Sequence, residues 1–241
     1  MDAGNAVNYT QWGNYAQWTG AGLTALAIAV ALFKENFIRL LRHPKLKARL
    51  EARDPDCVKT PTNHNEEWHG FRYFLRLWIE NVGNVRAEEV EVFLLRAWVE
   101  QKGSFKELSQ ITPMNLRWSN SDYQKPTIAV DGISPRMGRY CDFGSISDPA
   151  HPALKALPEN SGKTRLNLVT QILRPATDWL PPGKYKFEVL LAGSNCEPVA
   201  WVVVLHLTGL WSDDPTEMLA NGFVAKVHEG KSAAGLSANQ K

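Results

Sequence analysis

The chain has two parts that differ in the spacing of their hydrophobic residues. Residues 15–33 form one apolar run with no charged side chain, whereas from residue 71 onward several segments carry an apolar residue at every second position. A helix as long as this run spans roughly 28 Å, about the hydrocarbon thickness of a bilayer. Strict alternation is typical of a strand with one buried face. The pattern therefore predicts a transmembrane helix followed by a β-rich domain.

The charges around the apolar run predict its orientation in a membrane. Only Asp2 precedes the run, whereas residues 34–53 contain seven lysines and arginines against two glutamates. Because basic flanks stay on the cytoplasmic side, we expect a single-pass membrane protein. Its N-terminus is expected outside and its C-terminal domain in the cytosol. Five basic side chains are expected to face anionic lipid, and these are Lys34, Arg39, Arg42, Lys45 and Lys47.

A cleaved secretory signal is the competing interpretation of the apolar run. Ala29-Val30-Ala31 resembles a small-x-small cleavage site, but no lysine or arginine precedes the run and the basic cluster follows it. That order is the reverse of a secretory signal, so we expect the anchor to be retained. Ala21, Ala25 and Ala29 recur every four residues, which would allow two such helices to associate closely. The alternative is that these alanines are ordinary filler.

The sequence predicts five successive segments. An extracytoplasmic tail covers residues 1–14, the helix with a basic amphipathic extension 15–43, a linker 44–65, a β-sandwich 66–227 and a disordered tail 228–241. Pro44 is expected to end the helical extension, because the residue before a proline avoids helical geometry. Near the end of the sandwich, Asp214-Pro215 followed by Glu217 is typical of a helix start and predicts a short C-terminal helix.

The β-rich domain begins with two predicted strands, over residues 71–80 and 90–99, and we expect them to pair antiparallel across the turn between them. Further strands are expected over 165–172, 184–192 and 199–208. Residues 102–163 are interrupted by prolines and are predicted to be a long irregular stretch. Because no long helix is expected between the strands, the predicted architecture is mainly β, with two antiparallel sheets forming a sandwich.

Three short motifs stand out in the β-rich domain: a strand ending in Asn81-Val82-Gly83, the following Ala87 with Val90-Glu91-Val92, and the strand-opening turn Leu180-Pro181-Pro182-Gly183-Lys184-Tyr185. They resemble motifs of bacterial immunoglobulin-like sandwiches of the cell-adhesion-related (CARDB-like) type. The layout of one span, a basic flank with Pro44-Lys45-Leu46 and one such sandwich also resembles functionally uncharacterised bacterial membrane proteins, which implies a location in the bacterial inner membrane. The resemblance covers residues 15–210 and implies an immunoglobulin-like fold, but motifs made of turns and strands say little about function.

No catalytic or metal-binding motif is found in the sequence. Cys-x-x-Cys, His-Glu-x-x-His, the Gly-x-Ser-x-Gly elbow and phosphate-binding glycine loops are all absent. His64 and His69 flank two glutamates, so a metal site with distant partners is one interpretation, although solvated side chains explain them better. We therefore expect neither an enzyme nor a bound cofactor or metal.

The charge distribution argues against nucleic acid as a partner. The net charge is +2, and residues 34–53 alone carry +5, which leaves −3 for the rest of the chain. A nucleic-acid-binding domain would instead carry a basic patch of its own. The three cysteines are too few and too scattered to suggest a disulfide framework, which agrees with a cytosolic domain.

One face of the first predicted strand has the composition of a protein interface. Opposite its apolar face the strand carries Arg72, Phe74, Arg76 and Trp78, and Trp98 is expected near them on the next strand. Exposed aromatic and arginine side chains are enriched in interfaces. The alternative is that the irregular stretch 102–163 covers this face.

The leading hypothesis is a membrane-anchored, non-enzymatic module that binds or scaffolds another protein from an immunoglobulin-like sandwich. A second hypothesis keeps the fold but places the sandwich outside the cytoplasm, where it would bind a surface ligand. A third, an enzyme with its site in residues 102–163, would require acidic or histidine side chains to converge in a pocket.

Overall fold

The computed structural model describes residues 18–31, 33–34, 43–64, 68–121, 127–155, 162–170 and 179–230. They belong to two compact units, Met1–His43 and Pro44–Lys241. In the first unit residues 18–31 form helix α1, whose large apolar side chains are exposed, Leu23 by 69% and Leu26 by 61%. Among the described residues, no helix combines the length and the apolar character needed to cross a membrane. The predicted tail 1–14 lies outside the described residues.

The second unit contains two antiparallel sheets. The first sheet is built from β1 (Leu46–Arg49), β2 (Cys57–His64), β3 (Trp68–Asn81), β7 (Arg117–Trp118), β9 (Gly138–Ser147), β10 (Arg165–Leu168) and β11 (Trp179–Leu180). The second is built from β4 (Ala87–Gln101), β5 (Ser104–Glu107), β6 (Met114–Asn115), β8 (Ala129–Ile133), β12 (Gly183–Gly193), β13 (Cys196–Leu207) and β14 (Phe223–Glu229). Short helices α2 (Pro152–Lys155) and α3 (Pro215–Glu217) complete the unit, and a π-helical turn, Met218–Gly222, follows α3.

Two long strands organise the first sheet. β3 pairs with β1 and β2 along one edge and with β9 along the other, and β9 in turn pairs with β7 and β10. In the second sheet β12 lies between β4 and β13, and β14 pairs with β13. The other edge of β4 is covered in succession by β8, β6 and β5. The predicted mainly β, sandwich-like architecture is therefore confirmed.

The core lies between the two sheets and follows the predicted alternation. From Tyr73 to Asn81 every second side chain of β3 is buried, including Leu75 and Leu77, whereas Phe71 near the start of the strand is exposed. Across the interface the Phe143 ring of β9 meets the Phe187 ring of β12 edge to face, with 5.1 Å between centroids. Burial of each such side chain contributes about 1.5–3 kcal/mol relative to exposure, so the inward rows of these strands hold the sheets together.

The predicted pairing of the first two strands is wrong. β3 and β4 lie in different sheets, because the short connection between them, residues 82–86, crosses from one sheet to the other. The alternation along each strand identifies its buried face but carries no information about its neighbour. A turn that looks suited to a hairpin serves here as a crossing between layers.

The predicted linker 44–65 also differs from the structure. Leu46, Ala48 and Leu50 alternate into the core, and residues 46–49 and 57–64 form β1 and β2. The alternation covers only five residues and lies among basic side chains, so the sequence did not predict a strand there. At the other end the strand β14 was not predicted, and its last two residues fall in the predicted tail 228–241, of which 231–241 lie outside the described residues.

The C-terminal helix begins where the sequence predicts it. The Asp214 carboxylate accepts a hydrogen bond from the Thr216 N–H at 2.9 Å, with Pro215 as the first helical residue. The helix is short because the chain passes into the π-helical turn, which buries Met218 in the core.

Asn81 joins three parts of the sandwich through its buried side chain. Its Oδ1 accepts from the N–H groups of Lys45 at 3.2 Å and Gly83 at 3.0 Å. Its Nδ2 donates to the carbonyls of Val85 at 2.7 Å and Ile133 at 2.9 Å. All four hydrogen-bonding positions of the amide are used. The side chain therefore fastens the start of β1, the crossing between the sheets and the end of β8 to one point.

We predict that Asn81→Ala lowers the free energy of unfolding by about 2–4 kcal/mol, because it leaves four main-chain groups without partners in a largely buried place. Asn81→Asp should also destabilise the protein, since a carboxylate cannot donate to the two carbonyls. Urea unfolding of the purified full-length chain measures both effects. The matched control is Asn221→Ala at an exposed position, where a change within about 0.5 kcal/mol is expected. An Asn81→Ala variant as stable as that control would contradict the assignment.

Candidate functional site

The structure brings four of the five predicted surface residues together. Arg72, Phe74, Arg76 and Trp78 lie on the outer face of the first sheet, and each is half-buried. Trp98 lies on β4 in the second sheet, where the Arg96 guanidinium lies 5.3 Å from its ring centroid. The prediction that Trp98 joins this face is wrong, because it depended on the pairing of β3 with β4.

One end of this face is covered by other parts of the chain. Arg72 Nη2 lies 2.6 Å from Nε2 of His151, a buried residue just before α2. The indole of Trp179 lies 5.9 Å from the Arg72 guanidinium carbon. His151 of the stretch 102–163 thus covers the Arg72 end of the face together with Trp179, which lies outside that stretch. The alternative interpretation of the sequence, in which that stretch covers the whole face, applies to this end alone.

The middle of the face holds a carboxylate between polar partners. Asp142 accepts a hydrogen bond from the Ser119 hydroxyl and lies 3.5 Å from Nε of Arg76. Burial raises the pKa of Asp142, and the Ser119 hydrogen bond and the Arg76 charge partly offset that rise. The ion pair neutralises Arg76, so the net charge at this point is small.

The other end of the face is an aromatic pair. The rings of Trp78 and Tyr140 meet with 4.7 Å between centroids and a tilt of 53°. A side chain at Gly138 would collide with the Trp78 indole. Because Gly138 has none, the indole lies over β9 at that position.

A buried carboxylate holds this aromatic pair in place. Asp56 accepts hydrogen bonds from the Tyr140 hydroxyl at 3.1 Å, from the Glu51 N–H at 3.0 Å, and from Nε and Nη2 of Arg49 at 3.2 Å and 3.1 Å. The hydrogen bond to Asp56 raises the pKa of Arg49, and burial raises the pKa of Tyr140. We name Trp78, Tyr140, Asp56 and Arg49 the aromatic clamp.

Beside the aromatic clamp lies an open cleft of about 380 Å³. Two tryptophans and a tyrosine line it together with small polar residues and one arginine. The lining includes Trp78, Trp118, Ser119, Gly138, Arg139 and Tyr140. Trp118 is itself buried, and its Nε1 donates to the Ile128 carbonyl at 2.8 Å. Burial and this hydrogen bond therefore hold the Trp118 wall of the cleft in place.

The other predicted residues lie elsewhere. Lys45 and Lys47 are exposed but belong to the start of the sandwich, with Lys47 opposite Glu80 across β1 and β3. Lys34 is exposed beyond α1, and Arg39 and Arg42 fall outside the described residues. In α1 the predicted self-association residues are exposed at Ala21 and Ala25 and half-buried at Ala29.

No metal centre is evident in the part of the chain that the structure describes, since no three histidine, cysteine, aspartate or glutamate side chains converge there. His64 and His69 lie on the paired strands β2 and β3. A comparison of the chain with protein-family models finds no match, and a comparison with curated proteins finds none either.

Sequence reasoning identified Trp78 but missed the residues around it. Tyr140 stood in a recognisable alternation with Asp142, yet nothing marked β9 as the neighbour of β3. Asp56 stood in a segment that was predicted to be a linker. The adjacent Asp54 and Pro55 are typical of a turn, so the sequence predicted an exposed position for Asp56, which the structure shows to be buried.

We predict that Asp56→Asn lowers the free energy of unfolding by about 1–2 kcal/mol. The amide keeps the size of the carboxylate but loses the charge-assisted bonds to Arg49, which is half-exposed and therefore contributes less than a buried partner would. Urea unfolding of the full-length chain measures the effect. Asp131→Asn, at an exposed position of β8, is the control and should leave the midpoint unchanged. Equal stabilities of the two variants would show that the aromatic clamp does not depend on Asp56.

Proposed function

We propose that the chain is a membrane-anchored, non-enzymatic interaction module that binds a protein partner at the cleft beside the aromatic clamp. The observation that carries the proposal is the cleft itself. It combines two tryptophans and a tyrosine with an exposed arginine, and tryptophan, tyrosine and arginine are the residue types most enriched among the hot spots of protein interfaces.

Support for an anchor comes from the sequence and from α1. The run 15–33 has no charge and a basic segment follows it. The large side chains of α1 that the structure describes are apolar and exposed. A helix that is apolar on all sides needs a nonpolar environment. We propose a bacterial inner membrane, with the sandwich in the cytosol because of the basic flank.

Two features favour an immunoglobulin-like variety of sandwich. The β3–β4 connection crosses between sheets, and β4, β12 and β13 then lie side by side as the third and last two strands of that fold do. The buried Tyr185 donates its hydroxyl hydrogen to the Pro181 carbonyl at 2.6 Å. This back-bonding resembles the tyrosine corner of immunoglobulin-like domains.

We predict that a photoreactive amino acid at Arg139 forms a cross-link to a partner protein in living cells. The matched control position is Lys106, which is exposed on β5 of the second sheet. Because the cleft is proposed to be the binding site, an adduct is expected from Arg139 and none from Lys106. Gel analysis and mass spectrometry of the adduct provide the measurement. No adduct from Arg139, or equal adducts from both positions, would contradict the proposed function.

We predict that the sandwich is protected from a membrane-impermeant maleimide in intact cells. Two native thiols are poor reporters, because burial raises the pKa of Cys57 to about 12 and also raises the pKa of Cys141. A better reporter is Ser109→Cys, at an exposed position, in a Cys196→Ser background. The reagent should modify it only after the membrane is permeabilised.

Modification in intact cells would instead favour the second hypothesis, a sandwich outside the cytoplasm that binds a surface ligand. A periplasmic protein with known topology serves as the labelling control in the same cells.

A further inference from the structure

The cleft contains a short open sheet edge at the beginning of β9. The Ser119 N–H donates to the Tyr140 carbonyl at 2.9 Å, on the side of β9 away from β3. In an antiparallel ladder the N–H and C=O of one residue point to the same side, and the residue two positions away repeats that direction. Gly138 therefore presents both groups to the cleft. Within the described residues nothing pairs with them or with the Tyr140 N–H.

The side chains around this edge come from both faces of the sheet. Trp78 and Tyr140 line the cleft from the outer face, whereas Trp118 stands in register with the inward-facing Cys141. A strand laid along the edge would direct successive side chains alternately to these two sides. The Trp78 indole reaches the edge only because Gly138 leaves space beneath it.

The charge of the cleft favours an acidic ligand. Arg139 is the one ionisable basic group among its lining residues in the described chain, and it is exposed. None of the described residues that line the cleft is a carboxylate. Asp142 and Asp56, which accept hydrogen bonds from the lining residues Ser119 and Tyr140, are paired with Arg76 and Arg49. A carboxylate on the ligand would complement Arg139, and a basic side chain there would be repelled.

We infer that the cleft binds an extended segment of the protein partner, which pairs with the main chain of Gly138 and Tyr140 and places an acidic side chain beside Arg139. The inference rests on the proposed function and specifies its mode. Such strand addition gains affinity from main-chain hydrogen bonds and specificity from alternate side chains. The open edge offers few main-chain groups, so the aromatic walls must contribute a large part of the affinity.

The test is a selection from a randomised peptide library on the full-length protein, with counter-selection on an Arg139→Glu variant. We expect peptides that carry aspartate or glutamate among alternating apolar residues. Synthetic versions should bind Arg139→Glu about ten-fold more weakly than the unchanged protein and should bind the control variant Lys106→Glu equally well. No enrichment over Arg139→Glu would overturn the inference.

N-methylation of the selected peptide distinguishes main-chain pairing from side-chain binding alone. Methyl groups at alternate amides, those that face β9, should weaken binding about ten-fold, whereas methyl groups at the intervening amides should have little effect. Equal effects at all positions would overturn the inference. If cross-links from Arg139 persist in cells while these peptide results fail, the proposed function stands and only the strand-pairing mode is lost. If the cross-links are missing, the proposed function itself fails.

Discussion

The arrangement of the two sheets depends on one buried amide. Asn81 ends β3 at the point where the chain leaves the first sheet. All four hydrogen bonds of its side chain go to main-chain groups, namely those of Lys45, Gly83, Val85 and Ile133. Its own main chain also accepts from Arg136 and donates to Met137. Because β9 starts at Gly138, the same residue that sets the crossing also sets the position of the cleft.

In the aromatic clamp, one glycine determines where a large side chain of the cleft lies. A glycine at position 138 allows the Trp78 indole to lie across β9, and the Tyr140 ring supports it from one side. The hydroxyl of Tyr140 is held in turn by Asp56, a residue of the β1–β2 connection. The walls of the cleft therefore draw on three segments that are far apart in sequence, and polar contacts as well as apolar packing hold them in place.

The fold class could be predicted from the sequence, but the neighbours of each strand could not. Alternation along β3 and β12 identified their buried faces correctly, because a period of two is a property of a single strand. Pairing is a property of two strands. β3 and β9 are neighbours in the first sheet, but strands of the second sheet lie between them in the sequence. Trp98 was misplaced for that reason. The site could be predicted only in part. Trp78 was identified by its type and position. Asp56, Gly138 and Arg139 could not be assigned to the site, because they come together only when β1, β3 and β9 are assembled.

The entry of the chain into the sandwich has a mechanical consequence. Lys45 is clasped on both sides, since its N–H donates to the Asn81 side chain and its carbonyl accepts from the Val82 N–H at 2.8 Å. A pulling force transmitted from residues before Pro44 thus acts on these two hydrogen bonds of Lys45 before it acts on the ladder between β1 and β3. A load applied at the N-terminal end therefore acts first on the hydrogen bonds that join Lys45 to Asn81 and Val82. The same short segment carries the crossing between the two sheets.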